Sequence, residues 1–220
     1  LSRHGFARDL EFEHELVAAT EINFKLKHTE ETLKIYPFEF ELILRYRLRG
    51  ASLQCTYQVV NLGSQTMLFS IGGHPAFAAP LNQQGVYTDY YLQFNNDDKL
   101  TFHHIDDNLI ADQTTTIELK DKTLPLKHEL FYGDALVFKN LKSDSISLLN
   151  DKNYNGLDFN FKDFPYFGIW AAKDADFVCL EPWCGIADSV NHNQQLAQKE
   201  GINTLAPNGF WERTWQVTCF

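Results

Sequence analysis

Two positions in this sequence join an ionisable side chain to an unusual backbone setting. His74 lies in Gly72-Gly73-His74-Pro75-Ala76-Phe77, behind an apolar run read as one strand from Met67 to Ile71. Paired glycines let a backbone or ligand come close, and the proline ends the strand, so the imidazole stands at a strand end beside open space. Taken alone, the segment favours a capped strand with a satisfied core histidine, because short motifs recur by chance. Glu181 ends the apolar run Phe177-Val178-Cys179-Leu180-Glu181-Pro182-Trp183. Strand alternation puts Phe177, Cys179 and Glu181 on one face. Desolvation there would raise the carboxyl pKa, which suits a general base working near neutral pH. An equally good reading of this segment is a glutamate paired with an arginine at the sheet's end, since a buried carboxylate needs compensation.

Two further segments carry polar groups in tight spacing. Arg3-His4-Gly5-Phe6-Ala7-Arg8-Asp9 reads either as a turn with a salt bridge or as a polar rim donating to hydroxyls. Tyr132-Gly133-Asp134-Ala135-Leu136-Val137-Phe138 sets an aspartate before an apolar strand, where most aspartates form turns. No G-x-G-x-x-G, G-x-x-x-x-G-K, G-x-S-x-G or H-E-x-x-H pattern occurs, so nucleotide cofactors and a zincin mechanism lack support.

The elements that must hold these groups are strands. Ile22, Phe24 and Leu26 alternate with Asn23, Lys25 and Lys27. Phe38, Phe40, Leu42, Leu44, Tyr46 and Leu48 alternate with polar partners, and Leu53 to Val60 follows before Asn61-Leu62-Gly63-Ser64. Such period-two runs between turn signals predict half-buried antiparallel strands. Short helical turns are expected near Glu30–Thr32 and Leu81–Tyr87. Repeats, linkers and long amphipathic helices are absent from the pattern. The expected fold class is all-β: one large antiparallel β-sandwich domain over residues 1–220.

Composition narrows the function classes. The formal net charge of −10 argues against nucleic-acid and anionic-membrane partners. Arg45, Arg47 and Arg49 form the densest basic stretch, read as the solvated face of a sheet. The 18 phenylalanines and 9 tyrosines favour strands and can floor a sugar site. Cys55, Cys179, Cys184 and Cys219 contain no C-x-x-C pair, and Cys55 and Cys179 read as small core residues. A reducing, cytoplasmic setting fits best. No signal peptide or membrane-spanning stretch is visible.

Taken in order, the segments His4–Asp9, Gly72–Phe77, Asp134–Phe138 and Phe167-Gly168-Ile169-Trp170 through Leu180–Trp183 resemble the aldose 1-epimerase (galactose mutarotase) family, in its LacX-like branch. Lys199-Glu200-Gly201-Ile202, Leu205-Ala206-Pro207 and Trp215 extend the resemblance to the C-terminal end. It implies a galactose mutarotase-like supersandwich with an open sugar cleft. By the same resemblance His74 is the general acid, Glu181 the general base, His4 and Arg8 substrate-binding positions, and Asp134 a holder of sugar hydroxyls. Family members usually carry more strands before the His-Gly-Phe-Ala-Arg segment, so the chain is expected to be N-terminally incomplete, its chain beginning at Leu1 rather than Met.

The implied reaction interconverts the α and β anomers of a hexose such as galactose or glucose, with no cofactor and no metal. A base takes the O1 proton while an acid protonates the ring oxygen, and the opened sugar recloses on its other face. Trp183, Trp170 and Phe77 would wall the pyranose, although core packing is the better reading of Trp170. Two other functions compete. A non-catalytic carbohydrate-binding or regulatory module would not need His74 and Glu181 together. A glycoside hydrolase would need two carboxylates, for which Asp134 and Glu181 are available, but this leaves His74 unexplained. A phosphorylated sugar would want clustered cations, to which Arg3 and Arg8 would contribute.

Overall fold

The computed structural model describes residues 4–220, so Arg3 lies outside the described residues. Backbone contacts divide the chain into two compact units: Leu1–Phe69 with Asn203–Gln216, and Ser70–Ile202 with Val217–Phe220.

The first unit is an antiparallel meander of Glu13–Ala18, Glu21–Lys27, Phe40–Arg49 and Ser52–Asn61, to which the strand beginning at Phe210 adds its first residues. The alternation read in the sequence sets the register. Phe24 opposes Leu44, and Leu44 opposes Tyr57, so one apolar row crosses three strands. On the opposite row the arginines are not a bare solvated face. Glu21 sits directly opposite Arg47 and takes an ion pair from it at 2.6 Å and another from Arg45 at 3.5 Å. The Arg47 hydrogen bond holds the Glu21 carboxyl below the usual range. Between Ser52–Asn61 and the last strand, Gln54 donates to Gln216 and Thr56 shares a hydrogen bond with Thr214.

The helical turn expected near Glu30 is a helix over Glu30–Ile35. Thr29 starts it: its hydroxyl accepts from the Thr32 N–H, and the Thr32 hydroxyl accepts from the Thr29 N–H. That reciprocal cap satisfies donors a first turn leaves open, and Glu30 and Glu31 complement the helix dipole. The helix delivers Tyr36 to an aromatic cluster with Phe6 and Phe40, ring centroids 5.6–5.9 Å apart. Phe6 thereby anchors the His4–Asp9 segment.

The second unit is a two-layer antiparallel β-sandwich. One sheet runs Leu157–Asn160, Ser145–Asn150, Tyr90–Phe94, Thr123–Pro125. The other runs Leu109–Glu118, Lys99–Asp106, Leu136–Phe138, Tyr166–Trp170, Phe177–Cys184, whose far edge receives Ile71–Gly72 and Ala76–Ala78. Phe94, Phe138, Phe159 and Phe167 are fully buried between them, each worth about 1.5–3 kcal/mol relative to exposure. Phe159 meets Phe167 at 6.2 Å and Phe77 at 5.7 Å. The helical turns expected over Leu81–Tyr87 are two short 3-10 turns, Leu81–Gln83 and Tyr87–Asp89.

The run Met67 to Ile71 is not one strand. Met67–Phe69 pairs with Asn203–Leu205, whereas Ile71–Gly72 pairs with Trp183 and Cys184. Ser70 separates them, and its side chain fills the space beside Gly185, whose φ is +120°.

Candidate active site

The strand Phe177–Cys184 alternates between two environments. Val178 opposes Phe77, which faces the sandwich core, so Cys179 and Glu181 point from the opposite face. Glu181 is nevertheless buried, at 5% exposure, because neighbours cover that face. Trp183, next on the same face, packs with Tyr166 against Ile110, Val137 and Ile186.

Two backbone hydrogen bonds place His74. The Gly73 N–H donates to the Pro182 carbonyl at 2.9 Å, and the Leu180 N–H donates to the Pro75 carbonyl at 3.2 Å. These bracket Glu181 on one segment and His74 on the other, so the two side chains must meet. His74 Nδ1 lies 3.4 Å from Glu181 Oε1. The close approach that the glycine pair foretold is real: a Cβ on Gly72 would sit 2.5 Å from the Trp183 ring. The imidazole is no satisfied core histidine, since its side chain is 41% exposed against 7% for the glutamate. An accessible imidazole thus sits against a shielded carboxylate.

The aromatic surroundings differ from expectation. Phe77 is half-buried and turns towards the sandwich core, its ring centroid 5.7 Å from that of Phe159. Trp170 instead stands edge-on to His74, centroids 5.8 Å apart, and touches Phe177 in turn. Trp170 pairs across the strands with Cys179, which puts both on the Glu181 face.

His4 and Arg8 also come together: Arg8 Nη1 lies 3.3 Å from His4 Nδ1. His4 adopts φ +70° and Gly5 φ +69°, a left-handed turn that folds the segment back on itself. Arg8 is also 3.6 Å from Asp9, which is the salt bridge of the turn reading. Asp134 precedes the Leu136–Phe138 strand with φ 121°, and its Oδ1 accepts from the Ala135 N–H at 2.7 Å. Asp134 thus sits in the bend that leads into the strand.

Cys179 is the buried core residue that the sequence predicts, and only its nearness to His74 was missed there. It is buried, yet its sulfur and ligand atoms of His74 and Glu181 all lie within 4.8 Å of one another. Burial, and then the neighbouring Glu181 charge, pushes its thiol up to about 12. The signal was present: Cys179 stands two residues before Glu181 and so shares its face. None of the four cysteines is in a disulfide, and only Cys219 is exposed. No helix among the described residues is long and apolar enough to cross a membrane.

A family model for aldose 1-epimerase matches residues 1–204. The chain belongs to that family, and its fold is the antiparallel β-sandwich of galactose mutarotase-like proteins. Among curated proteins it is similar to the chromosomal LacX protein of Lactococcus lactis subsp. lactis, 34% identical over 224 residues, covering 99% of this chain and 75% of that one. Among solved structures it is similar to a galactose mutarotase related enzyme from Lactobacillus acidophilus, with 34% identity, a TM-score of 0.91, and coverage of 99% of this chain and 73% of that one. A galactose mutarotase-like protein from Lactobacillus casei follows at 27% identity and TM-score 0.87, covering 100% of this chain and 76% of that one.

Proposed function

We propose that this chain is a mutarotase that interconverts the α and β anomers of a free hexose such as galactose or glucose. The observation that carries the reading is the 3.4 Å separation of His74 Nδ1 and Glu181 Oε1. The two oxygens that exchange protons in anomerisation, O1 and the ring oxygen, are both bonded to C1. Acid and base must therefore work within a few ångströms of each other, as this pair does. Glu181 takes the O1 proton as His74 gives one to the ring oxygen, and the C1–ring oxygen bond breaks to leave the open-chain aldehyde. Rotation about C1–C2 presents the other carbonyl face. Reclosure runs the transfers backwards, the ring hydroxyl proton returning to His74 and O1 regaining its proton from Glu181.

Shielding of Glu181 replaces water at the carboxylate with fixed neighbours, while exposure of His74 leaves room for the sugar. Positioned acid–base groups contribute about 10²–10⁴-fold each. That suffices for a reaction that already proceeds slowly in water. Trp170, beside His74, supplies an apolar face for the pyranose. His4, Arg8 and Asp134 are assigned to the sugar hydroxyls in this reading. Reduced thiols throughout fit a reducing compartment such as the cytoplasm.

Anomer interconversion measured by NMR exchange on an equilibrated hexose panel tests the reading. Wild type should accelerate exchange of at least one hexose, and Glu181→Gln and His74→Asn should each abolish most of that acceleration. Exchange at the buffer rate for every sugar, with a sugar still bound, would leave a carbohydrate-binding module instead.

A further inference from the structure

Anomer exchange needs His74 and Glu181 but gives Cys179 no task, although the three side chains converge. Their ligand atoms lie within 4.8 Å of one another. A tetrahedral zinc shell, with bonds of about 2.0–2.3 Å, sets neighbouring donors roughly 3.3–3.7 Å apart. The His74–Glu181 separation of 3.4 Å already has that value. Bringing the sulfur in requires side-chain movement on the order of 1 Å. The backbone that carries the donors is held by the two hydrogen bonds bracketing His74. The imidazole is 41% exposed, which leaves an entry path. Imidazole, thiolate and a single carboxylate form a borderline-soft set that suits zinc-like ions. Magnesium and calcium would demand more oxygen donors.

We propose that His74, Cys179 and Glu181 form a reversible inhibitory site for a thiophilic divalent cation, with Zn2+ as its reference occupant. On binding, the Cys179 S–H bond breaks and a sulfur–metal bond forms, His74 gives up the proton that it holds as the acid to free the coordinating nitrogen, and both protons pass to solvent with no change of oxidation state. The cation then occupies the nitrogen lone pair and carboxylate oxygen that proton transfer requires. Inhibition rests on the mutarotase reading, whereas binding does not.

The test uses the full chain, stripped of metal, with Cys219→Ser to remove the exposed thiol. Titration with Co2+ should develop a thiolate-to-cobalt charge-transfer band at one equivalent, which Zn2+ displaces and Mg2+ and Ca2+ leave untouched. Adding Cys179→Ser should abolish the band. Loss of even an outer-shell partner lowers metal affinity about 10–100-fold, so loss of this ligand should raise the Zn2+ needed for half-inhibition at least tenfold. Metal-free Cys179→Ser should exchange anomers at the parent rate, and a chelator should restore the Zn2+-inhibited parent. Absence of the band, its persistence in Cys179→Ser, or equal Zn2+ sensitivity of the two proteins overturns the proposal. A band of the expected kind in a protein with no anomer exchange supports the cation site and removes the mutarotase reading instead.

Discussion

Trp183 occupies the space that a side chain on Gly168 would need. A Cβ built on Gly168 falls 2.4 Å from the Trp183 ring, and Gly168 itself pairs directly with Glu181 across the strands. The same indole covers Gly72 from its other edge. One large ring, made possible by two glycines, thus seats the strand that presents the buried carboxylate.

Gly168→Ala should therefore displace the indole or the strand, because the crowded atoms belong to a rigid ring. The expected cost is about 1–3 kcal/mol, typical of overpacking, read as a lower urea midpoint with unchanged slope. Anomer exchange should fall with it, since Glu181 shares the strand.

Glu181→Gln should separate function from stability. The substitution keeps the shape of a side chain that is 5% exposed while removing a charge that burial disfavours. Urea unfolding should show equal or greater stability than wild type, while kcat falls about 10²–10⁴-fold.

His4→Ala should act on binding rather than on chemistry. A hydrogen bond to a hydroxyl contributes about 0.5–1.5 kcal/mol, so KM for the hexose should rise about two- to tenfold with kcat little changed. An equal fall in kcat and kcat/KM would instead place His4 in the transition state.

Stability should decline in alkali. Burial pushes the Cys55 thiol from 9.0 up to about 12, against the hydrogen bonds it shares with Tyr46 and Tyr57. Burial also raises both tyrosines, and Tyr57 additionally accepts a hydrogen bond from Trp215 Nε1 at 2.7 Å. The folded chain holds these protons more tightly than the unfolded one. Their contribution is complete below about pH 9 and is lost as pH rises towards 12, by up to about 1.4 kcal/mol per pH unit for Cys55. Denaturation midpoints between pH 8 and 11 should fall, and Cys55→Ala should fall less steeply.

Thiol chemistry should follow burial. Cys55, Cys179 and Cys184 are buried and Cys219 is exposed. A colorimetric disulfide reagent at pH 8 should titrate one thiol quickly in the native chain and all four after denaturation.

Local pattern was enough to read several features from the sequence. Period-two alternation in Glu21–Lys27, Phe40–Arg49 and Ser52–Asn61 identified strands, although burial does not follow it: from Cys55 to Val59 both faces are covered. The same parity put Cys179 and Glu181 on one side of their strand. A glycine pair before His74 foretold a close approach, which the Trp183 ring makes.

Pairing between distant segments decided the rest. The apolar run Met67 to Ile71 divides between two partners, Asn203–Leu205 and Trp183–Cys184, because register with remote strands overrides local continuity. Which aromatic meets His74 followed from which sheet face was outermost, so Phe77 went to the core and Trp170 to the imidazole. The sequence by itself determined the strands, their faces and the two ionisable side chains suited to acid–base work. Only the tertiary structure decided that His74 and Glu181 touch and that Cys179 joins them. That decision is made by hydrogen bonds from Gly73 to Pro182 and from Leu180 to Pro75. They link segments far apart along the chain, and no periodicity within either segment encodes them.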